Sequence, residues 1–325
     1  MHVLMTGATG YVGPYVLDKL VQNGDDVRVL ALPGTEAQLS HLDTVRVCSG
    51  SLDDLDVLAR ATRGVEVVYH LSGLYPDSPV RDIIRVNVGG TRNLLRASIA
   101  AGVRRVVYMS SVTVYKPTVL PRLQPINENF PLRTSTRGIF GHYGISKIGA
   151  EKLIKQFHMH HHIEYVVLRP TEIYGPPRWY FEHLISLVAH HPRLALSQSA
   201  YYGDMQWVHI RDLVNAVLLA GSMTIARNNI FNIAGAEGFT VQDLIPIVWK
   251  LMRRDNFWIN CLSASSALNQ KTRLKFDFSK ARKILRFSPK ISLEKGLREL
   301  VAEVKTKSYQ AASPYRVSQS KASSK

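Results

Sequence analysis

The sequence predicts an α/β chain: a doubly wound parallel sheet followed by a smaller C-terminal lobe. Three observations predict it. Short β-branched runs alternate with helical patterns through the first two thirds of the chain, several of those runs are apolar at nearly every position, and a glycine-rich turn follows the first of them. Strands buried on both faces read as continuous apolar runs, and parallel strands need helical crossovers between them.

The elements follow in order. Strands are expected at residues 2–5, 26–32, 44–48, 66–71, 104–109 and 164–169, and helices at 11–21, 55–61, 80–100 and 143–157. Arg105-Val106-Val107-Tyr108-Met109 has the composition of a fully buried strand. In the last of these helices Ile145, Ile148, Leu153, Ile154 and Phe157 recur at near-helical spacing. Beyond about residue 175 the pattern loosens, interrupted by Pro176, Pro177 and Pro192, and helices alternate with short segments such as 229–234. The reading therefore divides the chain into a core over 1–175 and a lobe over 176–307 with some segments returning to the core. The remainder, 308–325, is basic and rich in Ser, Gln and Lys, the composition of a disordered tail.

Composition bounds the function. A chain of 325 residues with 46% hydrophobic residues can bury a full core, which excludes a mainly disordered protein. Two cysteines, Cys48 and Cys261, cannot build a disulfide framework and suit a reducing, cytoplasmic setting. No apolar run approaches the ~18–20 residues of a membrane span. The first five residues read as a strand leading into glycines, not as a signal peptide. The net charge of +16 raises the question of nucleic acid. Residues 1–245 hold 23 Lys and Arg against 20 Asp and Glu, whereas residues 246–325 hold 18 against 5. The excess sits in the last quarter, where it suits an anionic substrate or partner, or solubility, and nucleic acid is not the expected partner.

Thr6-Gly7-Ala8-Thr9-Gly10-Tyr11-Val12-Gly13 lies between the first strand and the first helix. Glycines there permit a tight turn and close approach of a pyrophosphate, and the helix start offers free N–H groups and a positive dipole end. The spacing is G-x-x-G-x-x-G, and its place directly after a strand points to dinucleotide binding in a Rossmann-type core. The second strand ends in Ala31-Leu32-Pro33-Gly34, with neither the acid that selects NAD nor the arginine that selects NADP. NAD(P) is the expected cofactor and the choice stays open.

Tyr143-Gly144-Ile145-Ser146-Lys147 places a phenol and an ammonium four residues apart on one helix face. A phenol with a pKa near ~10 is a poor base at neutral pH, but a nearby cation favours its phenolate. Such a tyrosine can take a proton from a carbinol or give one to a forming alkoxide. Upstream, the strand ending at Met109 runs into Ser110 and Ser111. Ligands of open α/β sheets bind beyond the carboxyl ends of strands, where a serine can hydrogen-bond the reacting oxygen.

Taken with Tyr69-His70-Leu71-Ser72-Gly73, Asn87-Val88-Gly89-Gly90-Thr91, Arg169-Pro170-Thr171-Glu172-Ile173-Tyr174-Gly175, Trp207-Val208-His209-Ile210-Arg211-Asp212 and Phe231-Asn232-Ile233-Ala234-Gly235, these motifs resemble the extended short-chain dehydrogenases/reductases of the NAD-dependent epimerase/dehydratase group, over roughly residues 1–300. The resemblance implies an NAD(P)-dependent oxidoreductase or epimerase moving hydride at a secondary alcohol or ketone carbon. It makes Tyr143 the acid/base and lets Lys147 lower its pKa and hold the nicotinamide ribose. Ser111, four residues before Tyr115, orients the substrate oxygen. The cofactor would meet Gly7, Thr9, Gly10, Tyr11, Val12 and Gly13 at its pyrophosphate, Ser51 and Leu52 near the adenine, Leu71, Ser72 and Gly73 beneath adenosine and ribose, and Pro170 and Ile173 beside the nicotinamide. A homodimer through the helices around 80–100 and 143–157 is implied as well.

Three departures narrow the chemistry. Val112-Thr113 replaces the Asp-Glu pair of the family's dehydratases, which disfavours loss of water. Met205-Gln206 stands where many sugar-nucleotide enzymes carry an arginine for the pyrophosphate, although Arg178, Arg193 or Arg211 could compensate. Ser51 replaces an acidic residue near the adenine. The sequence thus leaves a sugar-nucleotide epimerase with retained NAD beside a ketoreductase or hydroxysteroid-like dehydrogenase that exchanges cofactor at each turnover on a sterol-like, flavonoid-like or polyketide alcohol. A non-catalytic dinucleotide sensor or RNA-binding member of the fold is a further alternative, against which the intact Tyr143–Lys147 pair argues. His158-Met159-His160-His161-His162 reads as the solvent end of the tyrosine-bearing helix and not as a metal site, since zinc needs three or four convergent ligands.

Overall fold

The computed structural model of the chain describes residues 1–117, 124–176, 179–191, 194–195, 205–239, 241–252 and 275–306. Seven strands form the main sheet in the order β3-β2-β1-β4-β5-β6-β9. They are β1 (His2–Thr6), β2 (Asp26–Ala31), β3 (Arg46–Ser49), β4 (Val67–His70), β5 (Arg105–Met109), β6 (Glu164–Pro170) and β9 (Asn229–Ile233). Every pairing among them is parallel. This is the α/β, doubly wound sheet that the alternating pattern predicts.

Two-sided burial explains the continuous apolar runs. Val3 and Met5 of β1 join one core and Leu4 the other, as do Val107 and Met109 against Val106 and Tyr108 in β5. Successive side chains of a strand point to opposite faces, so a sheet covered on both sides must be apolar at every position. Helix α1 (Gly13–Gln22) and helix α7 (Ile210–Ser222) cover one face. Helices α2 (Leu55–Thr62), α4 (Thr91–Ala100) and α5 (Gly141–His161) cover the other. The helix expected at 80–100 forms as α3 (Val80–Ile84), a wider π turn over Arg85–Gly90, and α4. The π turn carries Asn87, and a π turn inside a helix often marks a functional position.

The chain runs outward from β1 through β2 to β3, then crosses back to β4 on the other side of β1. At that switch point the carboxyl ends open a crevice, which is where ligands bind in open α/β sheets. The strand expected at 44–48 begins at Arg46, and segment 229–234 proves to be the last strand of the main sheet, beside β6.

A second sheet, β10-β8-β7, is built from β7 (Glu172–Tyr174), β8 (Met205–His209) and β10 (Gly238–Phe239). Tyr174 and Trp207 join α6 (Trp179–His190), α8 (Val241–Met252) and α10 (Leu293–Thr306) in a separate apolar core. The short helix α9 (Ser279–Ile284) returns to the main sheet, burying Ala281 with Phe231 of β9. Pro177, Arg178, Pro192, Arg193, Cys261 and the tail at 308–325 lie outside the described residues. Among the described residues no helix is long and apolar enough to cross a membrane.

Candidate active site

The site is assembled from the loop after β1, the end of β4, the end of β5 and the first turns of α5. Gly7 has φ +78°, and a Cβ there would lie 2.6 Å from the Ser72 nitrogen. A Cβ at Gly13 would lie 2.2 Å from the Gly7 carbonyl oxygen. Side chains at these two positions would pry the loop from the β4 edge and from the start of α1, so the glycines are required by close approach. The loop folds back with Gly10 N donating to Gly7 O at 3.1 Å.

Under the loop runs a chain of neutral polar groups. Thr6 Oγ1 is hydrogen-bonded to Ser72 Oγ at 2.8 Å and to His70 Nδ1 at 2.9 Å, and His70 Nε2 meets Thr91 Oγ1 at 2.9 Å. Burial holds His70 neutral, pushing its pKa down to about 3, with the Lys147 charge acting in the same direction. Tyr11, in the glycine loop, and Tyr15, on the first turn of α1, donate their hydroxyls to the carbonyls of Gly175 and Pro176 respectively. The glycine loop and the segment entering the lobe are thereby tied together.

Across the crevice, α5 brings its N-terminus against the turn that follows β5. A Cβ at Gly144 would meet Thr113 O at 2.5 Å, so only glycine lets the helix lie this close beside Tyr143. Arg133 donates from Nε to the same carbonyl at 3.1 Å and from Nη1 to Arg137 O at 3.0 Å, holding the approach to α5.

Lys147 is 3% exposed. Its Nζ donates to Met109 O at 2.9 Å and stands 5.0 Å from the Tyr108 ring centre and 5.6 Å from that of Tyr143. Burial pushes its pKa down to about 8, and Glu151 pulls in the other direction. A Cβ placed on Gly73 would lie 3.1 Å from the same Nζ. One ammonium thus stands beside the Gly73 backbone, the end of β5 and the Tyr143 ring.

The two serines after β5 part company. Ser110 is buried and donates to Glu151 Oε1 at 2.6 Å. Ser111 is only partly buried and accepts from Thr113 N at 3.1 Å and Thr113 Oγ1 at 3.0 Å, bonds that use its lone pairs and not its proton. Val112 is buried and Thr113 faces Ser111, so no carboxylate follows the serine.

Ser51 Oγ accepts from Asp53 N at 3.1 Å, and Leu52 packs against Gly90 while its carbonyl accepts from Asn93. Thr9 and Leu71 are partly buried, Val12 is buried, Pro170 ends β6 opposite Ile233, and Ile173 pairs with Val208. Gln206 is fully engaged: Nε2 donates to Gly235 O at 3.1 Å and Oε1 accepts from Phe276 N at 2.6 Å. His209 lies at the lobe junction, edge-on to Tyr174 at 5.0 Å, with Nδ1 accepting from Arg211 N. His158 turns Nδ1 to Ile163 O at the end of α5, and no group of three or more metal-ligating side chains occurs among the described residues.

Asn87 is missing from the sequence-based site. Asn87 Oδ1 accepts from Leu74 N at 2.7 Å, and Nδ2 donates to Leu74 O at 3.1 Å and to Ser146 Oγ at 3.0 Å, stapling the segment after Gly73 to α5. Its place on the long helix beside the Gly89-Gly90 pair was the available signal. Glu36 follows β2 and accepts from Ser49 Oγ at 2.5 Å, which with backbone amides holds its pKa below the ordinary value.

A crevice at the sheet's switch point, a close-packed glycine loop and a buried lysine beside a tyrosine fit a dinucleotide: the loop admits a pyrophosphate only because no side chain fills it. Comparison with known proteins places the chain more narrowly. Residues 3–234 match the model of the NAD dependent epimerase/dehydratase family, and the chain belongs to that family. It is an extended short-chain dehydrogenase/reductase, an enzyme that uses NAD(P). It is 27% identical over 270 residues to the UDP-glucose 4-epimerase of Streptomyces lividans, covering 75% of this chain and 79% of that protein. It is 26% identical over 253 residues to the uncharacterized protein y4nG of Sinorhizobium fredii, which spans 76% of this chain, while the chain spans 59% of that protein. It shares its fold with UDP-glucuronic acid 4-epimerase from Bacillus cereus in complex with NAD, at a TM-score of 0.73 and 22% identity, covering 94% of this chain and 99% of that one.

Proposed function

We propose that the enzyme interconverts a secondary alcohol and its ketone, with Tyr143 as the acid/base, Lys147 as its electrostatic support and Ser111 as the hydrogen-bond partner of the reacting oxygen. The observation that carries this is the buried Lys147 ammonium between Met109 O, Gly73 and the Tyr143 ring. NAD(P), when bound, supplies the hydride-accepting or hydride-donating ring. Tyr143 takes the proton of the substrate hydroxyl in one direction and returns it in the other. Lys147 lowers the cost of the phenolate, because a cation in a poorly solvated site acts strongly on a nearby anion. The absence of a carboxylate after Ser111 weighs against dehydration.

Residues 1–175 supply the cofactor half, and most of 176–307 covers the substrate, with α7, β9 and α9 returning to the core. Glu36, at the exit of β2, favours NAD, since its carboxylate would repel a 2′-phosphate. Exposed Val80 and Ile84, one turn apart on α3, support a homodimer across that helix, which light scattering tests. The cysteine usage supports a cytoplasmic setting, testable by fractionation.

Two versions of the chemistry remain. Similarity to a UDP-glucose 4-epimerase favours epimerisation with retained cofactor. The engagement of Gln206 on Gly235 and Phe276 removes one place for a pyrophosphate contact and favours a dehydrogenase or ketoreductase acting on a smaller alcohol. Purified protein that carries stoichiometric NAD supports the first, and protein that exchanges cofactor at each turnover supports the second. Hydride-transfer assays across sugar nucleotides and alcohols with both cofactors test the whole reading, and intact turnover of the resulting substrate by Tyr143→Phe would sink the acid/base role.

A further inference from the structure

Below the crevice lies a buried polar cluster that the proposed chemistry does not use directly. Glu151 stands one turn past Lys147 on α5, and Arg169 lies near the end of β6; each is 2% exposed. Arg169 grips the carboxylate with both prongs, Nε to Oε1 at 2.9 Å and Nη2 to Oε2 at 2.5 Å. Ser110 Oγ donates to Oε1 at 2.6 Å. Arg169 Nη1 donates to Tyr115 OH at 3.0 Å, and that hydroxyl donates to Asn232 Oδ1 of β9 at 2.6 Å.

A buried ion pair is weak evidence for stability, because desolvating two charges offsets most of their attraction and an apolar packing would serve as well. What a bidentate pair adds is geometry. Ser110 reaches down to Glu151 while its neighbour Ser111 meets Thr113 in the following turn. Glu151 therefore grips the serine arm of the site through Ser110 and carries the tyrosine arm on its own helix.

We propose that Glu151 is a positioning residue of the active site, whose carboxylate, clamped by Arg169, holds the strand end bearing Ser111 and the Tyr143–Lys147 turn of α5 at one separation. This rests on the roles given above to Ser111, Tyr143 and Lys147. It has an electrostatic consequence. Lys147 is faced by Tyr143 and Glu151 from α5, Tyr108 and the Met109 carbonyl from β5, neutral His70 from β4 and Asn87 from the π turn. Glu151 supplies the carboxylate among them. Removing it would leave the Arg169 charge without its carboxylate, and both changes disfavour the Lys147 ammonium.

Two readouts test this on the full-length protein. The first is the Lys147 Nζ titration by NMR of lysine-labelled protein, assigned by its loss in Lys147→Arg. In Glu151→Gln the midpoint should fall by about one unit, and turnover should fall roughly tenfold with the cofactor KM unchanged. Glu151→Asp keeps the charge but withdraws the grip, so the midpoint should stay while turnover falls. Ser110→Ala leaves the ion pair intact, so it decides the matter should Glu151→Gln not fold: turnover should fall and Ser110→Thr should restore it. An unchanged Lys147 midpoint in Glu151→Gln overturns the electrostatic part. Full activity per folded molecule in both Glu151→Asp and Ser110→Ala overturns the positioning role. Failure of the functional reading is separate, because it shows as intact turnover in Tyr143→Phe.

Discussion

Along the β1–β4 edge the crevice is walled by backbone approaching backbone, whereas along the β5–α5 edge it is walled by buried charge. Gly7 lies so close to Ser72, and Gly13 to the Gly7 carbonyl, that no side chain fits. Lys147, Glu151 and Arg169 all lie at 3% exposure or less on the other side. The first wall should be sensitive to size and indifferent to pH, and the second sensitive to charge. The contrast fits the roles proposed for the two walls: a pyrophosphate needs room and free N–H groups, while a proton in transit needs a controlled field.

The sharpest test is on the charged wall. Tyr143→Phe, which deletes one oxygen, should lower turnover by roughly 10²–10⁴-fold, with cofactor binding by titration and melting temperature nearly unchanged. Next comes the size-sensitive wall. Gly7→Ala places a Cβ at positive φ against Ser72 and should cost roughly 2 kcal/mol or more of stability, along with most NAD binding. If Gly7→Ala bound NAD normally, the comparison between the walls would break.

The pH dependences follow with their signs. Because the Lys147 pKa lies at about 8, its support for the phenolate should be lost as pH rises through that value, giving a descending limb in turnover. For the buried imidazoles the effect is on stability. His70 is depressed to about 3 and His209 to about 4, both by burial first. Their unfolded forms take up protons near pH ~6.5, so stability is present above that value and declines as pH falls, by up to about 1.4 kcal/mol per unit for each group. Thermal melts from pH 7 to 4 of the wild type and His70→Gln would reveal it: the variant should show a shallower decline. The smallest expected effect is at Glu36. Its replacement by Gln should raise NADP use relative to NAD by about a few fold, read from kcat/KM with each cofactor.

How far the site was legible depended on how local each signal was. The glycine loop, the Tyr143–Lys147 pair and the serines lie in short windows whose spacing carries the chemistry, and the parallel, doubly wound class of the sheet, though not its strand order, followed from the alternation of strands and helices. Whether Ser110 or Ser111 faces the crevice could not be read from the residues themselves, since both are serines at a strand end. Neither could the meeting of Glu151 with Arg169, 18 positions apart, or the stapling of Leu74 by Asn87. Segment 229–234 was legible as a short element but not as the seventh strand, because its partner β6 lies far upstream in sequence.

By itself, the amino-acid sequence determined which stretches must be buried on both faces, where a turn without side chains must occur, and which helix presents a phenol and an ammonium together. Those are consequences of period and residue type along a single element. Only the tertiary structure decided which of those elements share an edge, that Gln206 turns its polar atoms onto Gly235 and Phe276, and that one buried carboxylate grips both arms of the site. Contacts of that kind depend on the crossing of elements distant in the chain, and no spacing within one element encodes where another will land.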